Sequence, residues 1–411
     1  MKGGISINLG NILLSLSESI DLANKNSVQH QLRTAFVALE LARYLNLDDE
    51  TIKDLFIAAL LHDIGKEIDS KENIDYELQC IRGKNIVGQV KILKQTSEII
   101  RYHYLDWKDW RGVIDKPITM SSQILLLANF VDMMINRNRF ILHQVDNVWN
   151  ELSKLENGVL SSKVVGAFKV ISKKEEFWLD LTSYRLYSIL LNNGPLRNKE
   201  IYLDQIGEIS ELFKNIVDFK SKYTIKHTTG VSACAEILGK LFGLTELEVE
   251  TIGIAANFHD LGKLIVPNSI LEKNGELSKP ELELVKSHPY YTYQVLSSID
   301  GLYQIVPWAS YHHEKLDGTG YPFHCSAKDL DTGARIIAVS DIFISRIEKK
   351  AYRDRMEKTE IYNMMKKMGR NNLIDIKFVD LLFENLEIIL NYIQIKQEKT
   401  QKFYQEKIQL I

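Results

Sequence analysis

Apolar residues in this chain recur mostly at helical spacing. Between residues 34 and 47, Ala35, Leu39, Ala42 and Leu45 share one helical face, and 54–61 continues the pattern. Residues 231–242 and 360–395 read the same way, and 178–191 reads as a connecting helix. Prolines number seven, and no Asn-Gly or Asp-Gly pair lies between alternating apolar runs, so hairpins are not expected. The pattern predicts an all-α fold. Gly262, just after His259-Asp260-Leu261, reads as a helix stop of the kind where the backbone turns left-handed. Pro267 follows, as is common past a helix end. His259 and Asp260 are therefore expected at the end of a helix that starts near Glu246.

The pattern also occurs twice. His30 precedes His62-Asp63-Ile64-Gly65-Lys66 by 32 positions, and His227 precedes His259-Asp260-Leu261-Gly262-Lys263 by the same 32. Similar helices follow both first histidines, and Ile57-Ala58-Ala59 and Ile254-Ala255-Ala256 precede the two motifs. Self-similarity at one fixed spacing marks a duplicated unit. Asn192-Asn193-Gly194-Pro195 is a strong turn signal between the copies. The expected organisation is two tandem HD-type helical domains: residues 1–180, a helical linker at 181–210, and 211–411.

Composition narrows the class of partner. Basic residues number 51 against 54 acidic ones, for a net charge of −3, with no long basic stripe, so duplex nucleic acid is not an expected partner. The mixed charges from Lys396 to Lys407 read as a solvated helix end. Cys80, Cys234 and Cys325 are far apart and form no CxxC pair, which fits a reducing compartment. Cys325 lies near the richest motif but reads as a passive loop thiol. No apolar run reaches the roughly 18 residues of a membrane span, and the N-terminus lacks a charged n-region. A cytoplasmic protein without a membrane partner is expected.

The candidate chemistry is concentrated in residues 259–341. Ten histidines occur in the chain, and His259, His288, His312 and His313 fall in this stretch, with Asp260 and Asp341. His227 lies upstream on a predicted helix. One His-Asp pair is weak evidence in a helical protein, but clustered His and Asp residues are the sequence mark of a metal site. Imidazole and carboxylate together suit Fe, Mn or Zn better than Mg or Ca. His227, His259, Asp260 and Asp341 can converge on one ion. His288, His312 and His313 can take a second, with Asp260 bridging. Such a pair supplies Lewis acidity and a nucleophile from water, which suits hydrolysis of a phosphodiester. Lys263, just past Asp260, is placed to neutralise the phosphate or assist the leaving oxygen.

These residues carry a specific resemblance. The order HDLGK at 259–263, His288-Pro289, and His312-His313-Glu314-Lys315-Leu316-Asp317-Gly318-Thr319-Gly320-Tyr321-Pro322 makes the segment from His227 to Arg353 resemble an HD-GYP domain, a branch of the HD phosphohydrolase superfamily. The resemblance implies hydrolysis of a cyclic dinucleotide, chiefly cyclic di-GMP, to a linear dinucleotide or onward to GMP. It implies two divalent metal ions, Fe or Mn, on His227, His259, Asp260, His288, His312, His313 and Asp341. It assigns Asp260 and Lys263 to catalysis, and Lys263, Asp317, Gly320, Tyr321, Pro322, Lys350 and Arg353 to substrate contact. Further partners implied are a second copy in a homodimer and a diguanylate cyclase or other signalling protein at the GYP loop. Some relatives hold a third ion through a Glu four residues before the first His; Tyr223 stands there, which favours two ions.

The chain departs from the family pattern beyond Asp341, where Ile344 replaces a second Asp and Lys350 an Arg. It departs also after Pro322, where Phe323-His324-Cys325 replaces a Gly-Leu segment, and at Thr292, which replaces a Gly. Lys350 keeps charge but loses the bidentate fork. The metal ligands are intact while base recognition is altered. Cyclic GMP-AMP is therefore an alternative substrate, and a non-catalytic cyclic dinucleotide receptor an alternative role.

The first copy is degenerate. His30, His62, Asp63 and Lys66 persist, and His103 matches His312, but no GYP follows. No clear counterpart of His288 is present; Asn85 falls near its place. By motif Asn129 replaces Asp341, whereas by spacing from His103 the match is Asp132. The apolar run 124–127 ends beside Asn129 and favours it. An amide binds a divalent ion weakly compared with a carboxylate, so this copy is expected to be regulatory or structural.

Overall fold

A computed structural model of the protein describes residues 5–22, 28–66, 75–110, 116–221, 224–348 and 356–409. It is helical nearly throughout; the strands among these residues are Ser6–Asn8 and Glu200–Tyr202, which form a two-stranded sheet. The chain divides into two compact units, Asn8–Glu200 and Ile201–Ile411 with Met1–Ile7. Residues 181–210, expected as a linker, are shared between them. Leu186, Leu190 and Leu196 are buried with the first unit, and Leu203, Ile206 and Ile209 with the second. The segment 178–191 is interrupted, forming Glu175–Leu181 and Leu186–Asn193.

Each unit is built on the same helix pair. In the first, His30–Tyr44 packs against Asp49–Leu61 and Lys116–Met134. In the second, His227–Phe242 packs against Glu246–Phe258 and Thr332–Ile347. The His-Asp helices start at side-chain caps: Asp48 accepts from Thr51 N, and Thr245 from Glu248 N in a reciprocal capping box. Leu55–Leu61 and Ile252–Phe258 are buried at every position, as a helix apolar on all sides must be. This burial sets the His-Asp turn deep in each unit.

The turn itself differs from the sequence expectation. Helix Glu246–Phe258 ends just before His259, and Leu261–Ile265 is a tight 3-10 turn. Gly262 is not in the left-handed region. It is required because a Cβ there would lie 2.0 Å from the His288 carbonyl oxygen. Gly65 is required for the same reason, since its Cβ would lie 2.2 Å from the Gln79 carbonyl oxygen. The two glycines let the next helix lie directly on the turn.

The C-terminal region departs too. Residues 360–395 form parts of three helices, Lys358–Arg370, Ile376–Glu384 and Leu386–Phe403, with the first break at Asn372, whose φ is 55°. The last helix is not a merely solvated end. It packs on His227–Phe242, Thr400 Oγ1 lies 3.1 Å from Thr229 Oγ1, and Gln397 Nε2 donates to Lys226 O at 2.9 Å. Among the described residues no helix is long and apolar enough to cross a membrane.

A buried carboxylate precedes each unit's first histidine. Asp218 accepts from Thr228 N at 3.2 Å, and Asp21 accepts from Gln31 N at 3.3 Å, both ten positions apart. Burial pushes the Asp218 carboxyl up to about 6. The folded protein therefore holds a proton that the unfolded chain, with a carboxyl near 3.8, releases earlier. Asp218 adds stability below pH 4, and this is lost as pH rises through about 6. Relative to Asp218→Asn, which cannot titrate, the wild-type protein is expected to lose at most roughly 3 kcal/mol between pH 4 and 7. Urea unfolding of both proteins across that range, without metal, checks it; parallel curves would refute it.

Candidate metal centre

Local geometry in the second unit orients each histidine. His259, His288 and His312 lie at helix ends, where their Nδ1 atoms meet the carbonyls of Ala256, Val285 and Ala309 at 2.7, 2.7 and 2.8 Å. In each case the partner is three residues earlier. With Nδ1 donating to a carbonyl, the tautomer is set and the Nε2 lone pair faces the opposite way. The three Nε2 atoms converge.

Asp260 stands between them. Its Oδ2 lies 3.3 Å from His259 Nε2 and 3.7 Å from His227 Nε2, and its Oδ1 lies 3.3 Å from His288 Nε2. His227 Nε2 is 3.2 Å from Asp341 Oδ1, and His288 Nε2 is 3.1 Å from His312 Nε2. Two groups result whose donor atoms lie within 4.8 Å of one another: His227, His259 and Asp341, and His288, His312 and His313. A third, His259, Asp260 and His312, joins them. The seven expected ligands are thus brought together, with Asp260 facing both groups.

The donors fit metal ions. Burial pushes His288 down, His312 far down and His313 down to about 3, which disfavours the protonated imidazoles. Burial alone would raise Asp260 and Asp341. Neighbouring histidines, with Lys263 at Asp260, outweigh it and hold both well below the usual carboxylate range. Neutral imidazole and ionised carboxylate are the states that ligate. His259 Nε2 is wholly buried and makes no hydrogen bond of good geometry, an acceptor that a cation satisfies.

His227 is oriented differently, by a residue that the sequence did not single out. Its Nδ1 lies 3.0 Å from Glu348 Oε2, and Gln397 Nε2 donates to Glu348 Oε1 at 2.9 Å. In the first unit the equivalent task falls to Asp132, whose Oδ2 lies 2.6 Å from His30 Nδ1 while Arg33 and Arg137 pair with the carboxylate. Ile344 and Gly230 occupy the second unit's positions for Asp132 and Arg33. A Cβ on Gly230 would meet Gln397 Nε2 at 2.6 Å and Ile344 Cγ2 at 3.1 Å. The carboxylate has moved four residues along the helix direction, and an amide from the last helix has replaced the guanidinium.

Further residues hold the turn. Thr292 Oγ1 accepts from Gly262 N at 2.9 Å and donates to His259 O at 3.0 Å. Lys220 Nζ donates to the carbonyls of Lys263 and Leu264 at 3.2 and 2.7 Å. Lys263 Nζ lies 2.5 Å from Asp260 Oδ2 with its side chain 17% exposed, at the edge of the centre.

The GYP loop sits beside His313, whose side chain is 25% exposed. Tyr321 places its ring 4.9 Å from the His313 ring, and Lys286 Nζ lies 5.4 Å from the Tyr321 ring. The Tyr321-Pro322 peptide is cis. Buried Glu314 pins the loop by accepting from Phe323 N and Cys325 N at 2.7 and 2.9 Å. Gly320 is packed on the Glu314 backbone. Exposed Asp317 accepts from the amide and hydroxyl of Thr319, so here its carboxylate holds a turn. Burial, with Glu314 and Asp329 nearby, pushes the Cys325 thiol up. Lys350, Arg353 and Tyr223 lie outside the described residues.

In the first unit, His30, His62 and Asp63 meet as one group. Gln79, not Asn85, occupies the place of His288. Gln79 packs its backbone on Gly65 as His288 does on Gly262, and its Nε2 donates to Asp63 Oδ1 at 3.1 Å. Asn85 lies further along helix Tyr76–Val87, half-buried. Tyr104, following His103, stands for His313, and Asn129 Nδ2 donates to its hydroxyl at 3.0 Å. The signal was present: counting back from His103 by the 24 positions that separate His312 from His288 gives Gln79.

Glu348→Gln is expected to weaken ion binding at the His227 position by about 10- to 100-fold, as loss of a ligand-orienting carboxylate does. Titration of metal-free protein with Mn(II) measures this; unchanged affinity would show that Glu348 is not the orienting group.

Comparison with known proteins places these motifs. Residues 28–134 and 211–378 each match the HD domain family. Over 397 residues the chain is 24% identical to 3'3'-cGAMP-specific phosphodiesterase 1 of Vibrio cholerae, covering 92% of both chains. It is 34% identical over 135 residues to a cyclic di-GMP phosphodiesterase of Pseudomonas aeruginosa, covering 32% of both. The crystal structure of the V. cholerae cyclic GMP-AMP specific phosphodiesterase V-cGAP3 shares the fold, with a TM-score of 0.66 at 21% identity over 93% of this chain and 98% of that one. The chain belongs to the HD-domain family and carries two HD domains in tandem.

Proposed function

We propose that the second HD domain is a metal-dependent phosphodiesterase of the HD-GYP branch, acting on a cyclic dinucleotide. The observation that carries this reading is Asp260 facing two His-rich donor groups, with Lys263 at its edge. Two divalent ions, Fe or Mn on donor chemistry, supply Lewis acidity and a nucleophile from water when bound. His227, His259, Asp260 and Asp341 hold one, and Asp260, His288, His312 and His313 the other. Lys263 neutralises a phosphate oxygen, and its ion pair with Asp260 keeps the ammonium pointed at the centre.

Beside the loop, Phe323 forms a ring cluster with Tyr293, Tyr311 and Tyr290 at 5.0, 5.4 and 6.4 Å. Such a cluster offers a nucleobase a stacking face. The substrate we favour is 3'3'-linked cyclic GMP-AMP, because relatives so named match both domains of this chain. Cyclic di-GMP, expected from the motif, is the second reading; relatives of that name match at 30% identity or more over 140, 155 and 135 residues.

Protein loaded anaerobically with Fe or Mn is expected to open both rings, cyclic GMP-AMP with the higher kcat/KM, as followed by chromatography of the products. Lys263→Ala should lower kcat by about a hundredfold with metal content unchanged. Tight binding of both nucleotides without turnover would replace this reading with the receptor. Phe323→Ala is expected to raise KM roughly tenfold while kcat holds, the loss of one stacked base; steady-state kinetics separate the two constants.

A further inference from the structure

We propose that the first HD domain binds one divalent ion, and not two, on His30, His62 and Asp63. His30 Nε2 and His62 Nε2 lie 3.2 Å apart, and each lies 3.6 Å from an Asp63 oxygen. These separations suit three donors on a common ion. Both imidazoles are held from outside, His62 by the Ala59 carbonyl at 2.9 Å and His30 by Asp132, which leaves the Nε2 atoms to face inward. The side chains are 9%, 0% and 11% exposed.

Comparison with the second domain shows which ion survives. Of the four donors to the first ion, three remain, and Asn129 replaces Asp341. Of the four donors to the second, Gln79 and Tyr104 replace His288 and His313. The oxygen of Asp63 on that side already accepts from Gln79, and Asn129 has turned to donate to Tyr104. Hydrogen bonds made by the replacing side chains thus occupy the second position, whereas at the first the retained nitrogens of His30 and His62 face one another. His103 supplies an independent observation. Its Nδ1 is taken by the Ile100 carbonyl at 2.7 Å, while its Nε2 is wholly buried and unpartnered, with its ring 5.5 Å from that of His62. That nitrogen is a buried acceptor beside the group, suited to a water completing the coordination of an ion. Lys66 Nζ, 3.7 Å from Asp63 and 43% exposed, reaches solvent and does not close the position. Two imidazoles and one carboxylate favour Mn, Fe or Zn.

The full chain carrying His259→Ala and Asp260→Ala is loaded with Mn(II), desalted, and its metal counted by mass spectrometry, with circular dichroism as the check of folding. One ion per chain is expected, falling to none on adding Asp63→Asn. Asn129→Asp, which restores the fourth donor, should tighten that ion at least tenfold. No retained ion in a folded double variant, or an ion indifferent to Asp63→Asn, overturns the proposal. Should the double variant not fold, wild-type protein and Asp63→Asn are compared: a loss of one ion supports the proposal, and equal counts overturn it. The second domain's centre is tested separately, since its failure would leave wild-type protein with one ion that Asp63→Asn removes.

Discussion

Each domain depends on one arrangement: a buried imidazole with its outer nitrogen committed to the protein. At His62, His103, His259, His288 and His312 the partner is a carbonyl three residues earlier at a helix end. A freed carbonyl at a helix terminus needs a donor, and a buried imidazole needs its rotation fixed. One hydrogen bond meets both needs. The inner nitrogen then points to a common, buried centre. Capped helices, apolar burial and the close approach at Gly65 and Gly262 all serve to bring those helix ends together.

The two domains show how one scaffold accommodates different substitutions. The first orients His30 with an Asp–Arg pair inside its own helices. The second orients His227 with Glu348 and Gln397, which engages the C-terminal helix in the centre. Where the first domain has lost ligands, the replacements pair with each other or with Asp63. No isolated replacement could be buried there at low cost, because an amide or phenol without a partner loses its hydration.

Much of the fold and centre was legible in the sequence. The helical period, the repeated 32-residue interval and the His-Asp order gave two helical domains and the seven donors that converge. Other readings failed for physical reasons. Gly262 reads as a left-handed stop, but its small size is needed for a contact across the fold, which local sequence does not display. Asn85 falls nearer the expected place of His288 than Gln79 does, because the connection from Gly65 to residue 79 is shorter than that from Gly262 to residue 288, so an interval counted across it misaligns the copies.

By itself the sequence determined which residue types could ligate and where the helices run, since both follow from side-chain chemistry and local periodicity. Only the tertiary structure decided which second carboxylate holds His227, which side chain replaces His288 in the first domain, and that Asp317 holds a turn while Glu314 pins the loop. Those outcomes depend on atoms meeting across long stretches of chain. Glu348 and Gln397 lie 121 and 170 residues from His227, and a contact of that kind is set by packing rather than by neighbours in sequence.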